Sequence, residues 1–350
     1  MKIKEIIESI KKPDKICGLV VFPVLKVSNL DVEEFGEFDY VGDNKLDGIN
    51  SKGFYRVSTE SIEDAIKEIR TNKDSSFITC YNDAFKEGVY PKKISVLLKH
   101  TLSRQQPDAL ETAILNFFEV PTTLNLKVIN DTGMEFPVDG GETQPYEDVP
   151  LDRIVMSVDA LKEDEKFYSF IELGIRDILY SFDPLYENTT SKLVEILSKP
   201  PFSELSTKEK DDIIFKIRDQ LAISFLTRQF VCCDADFGSR NVGLIINEKK
   251  KTIELINFDY EFAFKYVMNF SKSTIKGVIE VAPKAYEKFI VKCKQLLKEI
   301  REEKIQWNNE NCEAFEKLGC TPEVLMRLYR NLDEIVNMDL EYRKGLETLQ

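Results

Sequence analysis

The sequence predicts an α+β protein whose first part is rich in strands and whose second part is mostly helical. Up to about residue 160, valine, isoleucine and leucine occur in short runs between turn residues, as is typical of strands. From about residue 165, apolar residues recur with helical spacing instead. Within this helical part, two apolar runs at residues 242–247 and 252–258 are joined by Glu-Lys-Lys-Lys, which predicts a β-hairpin.

The individual elements follow from the same two patterns. Aliphatic runs predict strands at residues 18–27, 93–99, 124–129 and 153–158. Helical spacing predicts helices at residues 60–71, 107–118, 166–180, 191–198, 208–230, 282–303 and 322–350. A hairpin of two strands is marginal as a sheet of its own. We therefore expect the hairpin to position functional groups at its ends.

Composition and charge exclude several classes of protein. The 350 residues are 43% hydrophobic and 31% charged, which is typical of a globular protein and not of a collagenous or wholly disordered one. The net charge is −13, whereas duplex binding needs concentrated lysine and arginine, so we expect no direct nucleic-acid partner. The one histidine, His100, excludes a metal site built from several histidines.

The sequence also predicts a cytoplasmic location. The longest apolar run, at residues 16–25, is about half of a membrane span. Glutamates among the amino-terminal lysines argue against a signal peptide. The seven cysteines show no Cys-x-x-Cys spacing, so we expect free thiols in a reducing compartment. An acidic chain is also poorly suited to an anionic membrane surface.

The two ends of the predicted hairpin carry groups suited to phosphoryl transfer. Asp236 and Asn241 precede its first strand, and Asp259 follows its second strand. Phosphoryl transfer needs hard oxygen ligands for Mg²⁺ and a carboxylate beside the attacking hydroxyl. A tight hairpin would bring Asn241 and Asp259 together. The Asp-x4-Asn spacing alone occurs about once by chance in a chain of this length, so the prediction depends on the hairpin and on the second aspartate.

The literal Asp-Phe-Gly at residues 236–238 offers a second assignment of roles. Asp236 would then be a metal ligand, and Asp219 would be the catalytic aspartate upstream of it. However, the residue five positions after Asp219 is Ser224 and not asparagine, and the spacing of apolar residues predicts that this region is one continuous helix. A catalytic loop cannot be the interior of a helix. We therefore assign the role of catalytic base to Asp236.

The strand-rich part supplies a candidate pair for gripping phosphates. Lys99 ends a predicted strand, and Glu111 lies at the margin of the apolar face of the next helix. In kinase-like sites a strand lysine contacts the phosphates and a helix glutamate holds that lysine. Two alternatives remain open. Glu111 could form a capping box with Asp108, and Lys99 could be a solvated lysine at a strand end.

Three stretches that carry these residues resemble the HipA-like kinases, bacterial serine/threonine kinases with a two-lobed protein-kinase-like fold. Residues 96–120 resemble the family's lysine strand and glutamate helix. Residues 232–246 resemble its Asp-x-His-x-x-Asn catalytic loop, and residues 253–264 resemble its strand ending in a metal-binding aspartate. The family's histidine is Gly238 here, and we find no convincing glycine-rich phosphate loop before Lys99.

The resemblance implies ATP and Mg²⁺ as cofactors and gives each candidate residue a role. Asp236 would be the catalytic base. The residues that would bind the cofactors are Lys99, Glu111, Met156 and Val158 for the nucleotide, and Asn241 and Asp259 for the metal. Met156 and Val158 fall where the hinge that meets adenine is expected.

The resemblance also implies a division of the chain and a function. Residues 1–90 would be an extension or extra elements of the amino-terminal lobe, residues 91–160 the core of that lobe, and residues 161–350 the helical lobe with the catalytic loop and the metal-binding hairpin. The expected activity is phosphoryl transfer to a hydroxyl of a protein, with an antitoxin-like protein as a further partner. The alternatives are a kinase of a lipid or small-molecule hydroxyl, and a kinase-shaped interaction protein without catalysis.

Overall fold

The computed structural model describes most of the helical part of the chain and the strands of the first part. The described residues are 15–21, 24–26, 32–34, 52–58, 93–100, 108–129, 154–158, 165–175, 182–234, 237–258, 263–264, 270–305 and 309–347. For the strands at 25–26, 32–34, 52–58, 93–100 and 154–158 it describes the backbone alone. The predicted helix at 60–71 lies outside the described residues. The predicted divisions near residues 90 and 160 stay predictions.

Six strands of the first part form one sheet. They are β3 (Leu25–Lys26), β4 (Val32–Glu34), β5 (Lys52–Ser58), β6 (Lys93–His100), β7 (Leu124–Ile129) and β8 (Ile154–Val158). Their order is β3-β7-β8-β6-β5-β4, and each neighbouring pair is antiparallel except β3 with β7. The strands predicted at 93–99, 124–129 and 153–158 are confirmed.

The strand predicted at residues 18–27 is interrupted. A short hairpin comes first, formed by β1 (Lys15–Ile16) and β2 (Leu19–Val20), and β3 follows after a break. The turn between β1 and β2 places Cys17 at φ 53° and Gly18 at φ 75°. Positive φ at both central residues is the geometry that joins two twisted strands in a two-residue turn.

Helix α1 (Asp108–Phe117) follows β6 and confirms the helix predicted there. Its residues from Asp108 to Asn116 are all buried, so this is an internal helix and not a surface one. It contacts β2, β7 and a helical segment that precedes the predicted catalytic loop. This position makes α1 a link between the six-stranded sheet and the helical part.

The second sheet has three strands, β9 (Glu165–Ser169), β10 (Val242–Asn247) and β11 (Thr252–Asn257). Strands β10 and β11 pair antiparallel as the predicted hairpin, and β11 ends one residue earlier than predicted. The helix predicted at 166–180 is wrong for its described residues, because β9 pairs with the other edge of β10 and a turn follows. Every residue of β10 is buried, so its free edge needs a partner for the backbone groups. The hairpin is therefore part of a larger sheet.

The helical part continues with α2 (Phe182–Leu197), a 3₁₀ turn (Phe202–Glu204), α3 (Thr207–Leu226), a π-helix (Thr227–Val231), α4 (Lys272–Val281), α5 (Pro283–Ile305), α6 (Asn309–Lys317) and α7 (Pro322–Glu347). The helices predicted at 208–230, 282–303 and 322–350 are confirmed, and the one at 191–198 is the end of the longer α2. A capping box of Ser206 and Glu209 begins α3. Asp219 lies inside α3, which confirms that it is not in a loop.

A chain of aromatic rings packs α2 and α3 against the predicted catalytic loop. The ring centroid of Phe225 lies 4.8 Å from that of Phe182, 5.6 Å from that of Phe230 and 6.1 Å from that of Phe237. Five cysteines of the described part are buried free thiols, as predicted. No helix within the described ranges is long and apolar enough to cross a membrane.

Gly243 provides a test of the three-stranded sheet. It lies in the middle strand, opposite Ser169 on β9 and Ile256 on β11. A methyl group at Gly243 would lie 2.5 Å from the ring of Phe167 and 2.6 Å from the carbonyl oxygen of Tyr168. We expect Gly243→Ala to lower the free energy of unfolding by about 1–3 kcal/mol, measured by chemical denaturation.

Gly345→Ala is the matched control for this prediction. A methyl group there meets nothing within 4 Å, and alanine favours a helix over glycine, so a gain of up to about 1 kcal/mol is expected. Equal effects of the two substitutions would contradict the close approach of β9 to β10.

Candidate functional site

Arg228 contacts two described residues of the predicted site, Glu111 and Asn241. It belongs to the π-helix, and its side chain is fully buried. Its Nε donates hydrogen bonds to Oε1 of Glu111 at 3.2 Å and to Oδ2 of Asp234 at 2.9 Å, and its Nη2 donates to the same Asp234 oxygen. The ring of Phe237 lies 5.2 Å from the guanidinium carbon. The arginine therefore joins α1 to the segment that leads into the predicted catalytic loop.

The same guanidinium also holds the open end of the hairpin. Its Nη1 donates to the carbonyl oxygens of Asn241 at 3.0 Å and Phe258 at 3.1 Å. The amide of Phe258 donates to the carbonyl of Asn241 as well, at 3.1 Å. Asn241 and Phe258 come directly before β10 and directly after β11, so they face each other. The backbone at Asn241 is therefore adjacent to the residue that precedes Asp259.

The two predicted aspartates of the site are not described by the structure. Asp236 and Asp259 are not among the described residues, and nothing about their placement is tested. Within the described ranges, no group of three or more histidine, cysteine, aspartate or glutamate residues gathers as a metal site. Asn241 is described and is 4% exposed. Its side-chain amide offers an oxygen donor of the kind that Mg²⁺ binds. Its role as a metal ligand stays a prediction.

Backbone hydrogen bonds connect the turn before Asn241 to the residues that follow β9. The amide of Asn241 donates to the carbonyl of Gly238 at 3.0 Å, which closes a tight turn. The amide of Ile171 donates to the carbonyl of Ser239 at 3.3 Å, and the amide of Phe170 donates to the carbonyl of Val242 at 3.0 Å. The strand that the sequence analysis missed is thus one of the supports of the predicted catalytic loop.

Glu111 is fully buried and its described partner is Arg228. Its second oxygen, Oε2, has no hydrogen-bond partner among the residues that the structure describes. Neither oxygen accepts from a described backbone amide, so the described part of the chain gives no support to the capping interpretation. Burial raises the pKa of the Glu111 carboxyl well above its ordinary value; the Asp234 carboxylate raises it further, and Arg228 opposes the rise.

Lys99, Met156 and Val158 are described by their backbones alone. Lys99 lies on β6 opposite Val155 of the neighbouring strand β8. Met156 and Val158 lie on β8, opposite Leu98 and Val96. The predicted lysine and the predicted hinge residues therefore occupy adjacent strands. The pairing of Lys99 with Glu111 stays a prediction, as do the contacts of Met156 and Val158 with adenine.

A second set of buried contacts ties the hairpin to the chain that follows α1. The side-chain amide of Asn257 donates to the carbonyl of Pro121 at 2.9 Å and to Oγ of Ser224 at 3.0 Å. The backbone amide of Asn257 donates to Pro121 at 3.1 Å, and that of Thr123 donates to the carbonyl of Asn257 at 2.9 Å. Helix α1 and strand β11 are therefore held together both at Arg228 and at Asn257.

Sequence reasoning did not identify Arg228, although a signal for it exists. The residues around it, from 221 to 233, are largely apolar and read as buried. An arginine in such a stretch is almost never fully buried without an acidic partner. The pattern therefore predicts an internal ion pair, but it gives no indication of which of the 61 acidic residues provides it.

Comparison with known proteins gives several similar solved structures, including the two that follow. No protein-family model and no curated protein matches the chain. The Helicobacter pylori proinflammatory kinase CtkA is similar over 93% of this chain and 99% of that one, with 8% identity and a TM-score of 0.45. HipA of the Shewanella oneidensis MR-1 toxin–antitoxin system, solved with HipB and operator DNA, is similar over 96% of this chain and 73% of that one, with 8% identity and a TM-score of 0.40. A HipA and a kinase are thus among the solved structures to which the chain is similar.

Removal of Arg228 tests the energetics of the buried ion cluster. Arg228→Met would leave Glu111 and Asp234 buried without the cation that both contact. We expect the free energy of unfolding to fall by on the order of 3–5 kcal/mol in urea denaturation.

The control for this substitution is Arg301→Met. Arg301 also contacts an aspartate, Asp333 at 2.6 Å, but the two side chains are 52% and 37% exposed. An exposed pair contributes less than about 1 kcal/mol, so the control should change stability little. A loss at Arg228 no larger than the loss at Arg301 would contradict the cluster.

Proposed function

We propose that the chain is an ATP- and Mg²⁺-dependent phosphotransferase that acts on the hydroxyl group of a protein serine or threonine. The observation that carries this proposal is the shared hydrogen-bond donor at the open end of the hairpin. Because Nη1 of Arg228 contacts the carbonyls of both Asn241 and Phe258, the backbones of these two residues lie close together. The residue that follows Phe258 in the sequence is Asp259. We propose that the Asn241 amide and the Asp259 carboxylate meet there, since oxygen donors of this kind are what Mg²⁺ prefers.

The proposed roles follow from the chemistry of each side chain. Asn241 and Asp259 hold Mg²⁺, which supplies neutralisation of phosphate charge when it is bound. Asp236, five residues before Asn241 in the sequence, accepts the proton of the attacking hydroxyl. The buried side chain of Phe237 and the turn from Gly238 to Asn241 hold the residues that follow Asp236, which would limit reorganisation at the moment of reaction.

The environment of Glu111 supports its proposed pairing with Lys99. Burial disfavours the charged form of this carboxyl and raises its pKa, and its Oε2 has no hydrogen-bond partner among the described residues. An ammonium at Oε2 would favour the charged form. The lysine would then be fixed with its amine available to nucleotide phosphates, and Met156 and Val158 on the next strand would meet adenine.

A protein substrate is favoured over a lipid because a net charge of −13 is repelled by anionic membranes. From the sequence resemblance we also propose an antitoxin-like protein partner, and from the cysteine pattern and the apolar runs of the sequence a cytoplasmic location. A kinase-shaped interaction protein without catalysis is the second candidate function. The specific observation that favours it is Gly238, which stands where the HipA-like family has histidine.

Two aspartate substitutions test the assigned roles. We expect Asp236→Ala to abolish transfer of radiolabelled γ-phosphate and to leave stabilisation by ATP with MgCl₂ intact. Asp259→Ala should remove that Mg²⁺-dependent stabilisation as well. At saturating ATP and MgCl₂ the wild-type midpoint should rise by on the order of 4 °C, measured by thermal shift.

Asp219→Asn is the control, because Asp219 would be the catalytic residue only under the rejected assignment. It should leave transfer unchanged. Phosphate transfer that survives Asp236→Ala would show the roles to be wrong. A wild-type protein that ATP stabilises equally with MgCl₂ and with EDTA, or not at all, would favour the interaction protein instead.

The pairing of Lys99 with Glu111 predicts a pH-dependent difference in stability. A carboxyl whose pKa is raised by folding stabilises the protein fully below its ordinary value of 4.5, and this stability is lost as the pH rises through the raised pKa. Lys99 would favour the charged carboxylate and limit that loss. Lys99→Met should therefore lose stability relative to the wild type as the pH rises from 4.5. The loss should be about 1.4 kcal/mol for each unit by which the substitution raises the pKa of Glu111.

The measurement is the free energy of unfolding in urea at pH values from 4 to 8. Glu111→Gln serves as the control background, in which adding Lys99→Met should produce no such slope. Parallel curves for the wild type and Lys99→Met would mean that Glu111 and Lys99 are not paired.

A further inference from the structure

We propose that Arg228 is the positioning residue of this site, and that its guanidinium fixes the spacing between the two metal-ligand segments and couples that spacing to helix α1. The proposal rests on the function proposed above, because it concerns how Asn241 and Asp259 are held. Arg228 is not assigned any contact with substrate, nucleotide or metal. It acts through the backbone of the segments that carry the ligands.

The first step is the geometry of Nη1. One nitrogen donates to the carbonyl oxygens on both sides of the hairpin's open end, at 3.0 Å and 3.1 Å. Neither carbonyl can move away from the other without losing a hydrogen bond to a fully buried cation, and such charge-assisted bonds are among the strong ones. Asn241 belongs to one of these segments, and Asp259 follows the other in the sequence. The guanidinium therefore limits the separation of Asn241 and Phe258, together with the direct hydrogen bond from the amide of Phe258 to the carbonyl of Asn241.

The second step is the choice of residue. A guanidinium presents its donors in a rigid plane, so the edge that contacts carboxylates and the nitrogen that contacts carbonyls cannot rotate independently. The plane is anchored by Asp234, whose carboxylate accepts from Nε and Nη2 of Arg228 and whose amide donates to the carbonyl of Arg228 at 2.8 Å. A lysine could supply the charge but not this fixed arrangement.

The third step is the backbone that presents Arg228. Helix α3 does not end in an ordinary turn but widens into a π-helix over five residues, all buried. Such π-helical turns are rare and occur frequently at functional sites. The π-helix ends just before Asp234, and the amide of Cys232 donates to the carbonyl of Thr227 at 2.9 Å. The π-helix therefore places Arg228 close to Asp234, the residue that fixes its guanidinium plane.

The fourth step is the connection to α1. Glu111 accepts from Nε of the same guanidinium, so a displacement of α1 would tilt the plane that Nη1 belongs to. The phosphate-gripping pair and the metal ligands would then respond to the same movement. A partner or substrate that shifts α1 would change the metal site without touching it.

The test is Arg228→Lys, which retains a buried cation but removes the planar fork. Arg218→Lys is the matched control, since Arg218 lies on α3, over the ring of Tyr186, and outside the site. Hydrogen exchange of the ligand-free protein is measured by mass spectrometry over residues 237–242 and 253–258. We expect at least tenfold faster exchange in both segments of Arg228→Lys, and unchanged exchange in α5 and in the control.

The second readout separates positioning from general destabilisation. The MgCl₂ concentration that gives half of the thermal stabilisation by ATP should rise at least tenfold in Arg228→Lys. The affinity for ATP in EDTA should stay within twofold of the wild type. Unchanged exchange, faster exchange in one segment alone, or equal losses with and without metal would each overturn the proposal.

Failure of the proposed function is a distinct result. A wild-type protein without Mg²⁺-dependent stabilisation contradicts the phosphotransferase, while exchange in the ligand-free protein still decides the role of Arg228. If circular dichroism shows that Arg228→Lys does not fold, Glu111→Gln is used in its place. In that variant Arg228 keeps its contact with Asp234 and loses only the carboxylate on α1. Exchange at least threefold faster in both segments supports the coupling, and unchanged exchange overturns it.

Discussion

A buried guanidinium with two carboxylates is the constraint on which the rest of the site depends. Moving a charge out of water is costly, and the cost is offset only when the geometry of the surrounding partners is good. Arg228 meets this requirement with side-chain acceptors from Glu111 and Asp234 and with backbone acceptors from two further segments. Each of those segments is therefore held where the arginine needs it. The metal site proposed at the hairpin therefore uses backbone segments that the buried arginine already holds in place.

The hairpin could be predicted from the sequence, whereas most of the contacts that hold it could not. Two apolar runs separated by a lysine-rich turn define β10 and β11 through local composition alone, and the strands agree with the prediction to within one residue. Asn241 lies in the predicted loop for the same reason. Strand β9 was missed because residues 166–180 carry an apolar spacing that suits a helix, and the need of β10 for a second partner overrides that local preference.

Arg228 and its partners show why a site is harder to predict than its strands. Glu111 is 117 positions away in the sequence, and the carbonyl of Phe258 is 30 positions away. No periodicity or propensity connects residues at such separations. The sequence singled out Glu111 by its place beside an apolar stripe, which is a local property, and gave it a lysine partner by resemblance. Its contact with Arg228 arises from tertiary packing, and the two readings are compatible because a carboxylate has two oxygens.

This compatibility has a consequence for how the site assembles. The segments around Arg228 come from α1, the π-helix, the loop before β10 and the end of β11, and the contacts of Asn257 with Pro121 and Ser224 join the same elements a second time. Contacts of such long sequence separation form late, after the loops between them have closed. Glu111 is buried in this cluster and burial disfavours its charged form, so a further cation beside its second oxygen would stabilise the carboxylate. The lysine that we propose there is also the residue that phosphoryl transfer requires at that position.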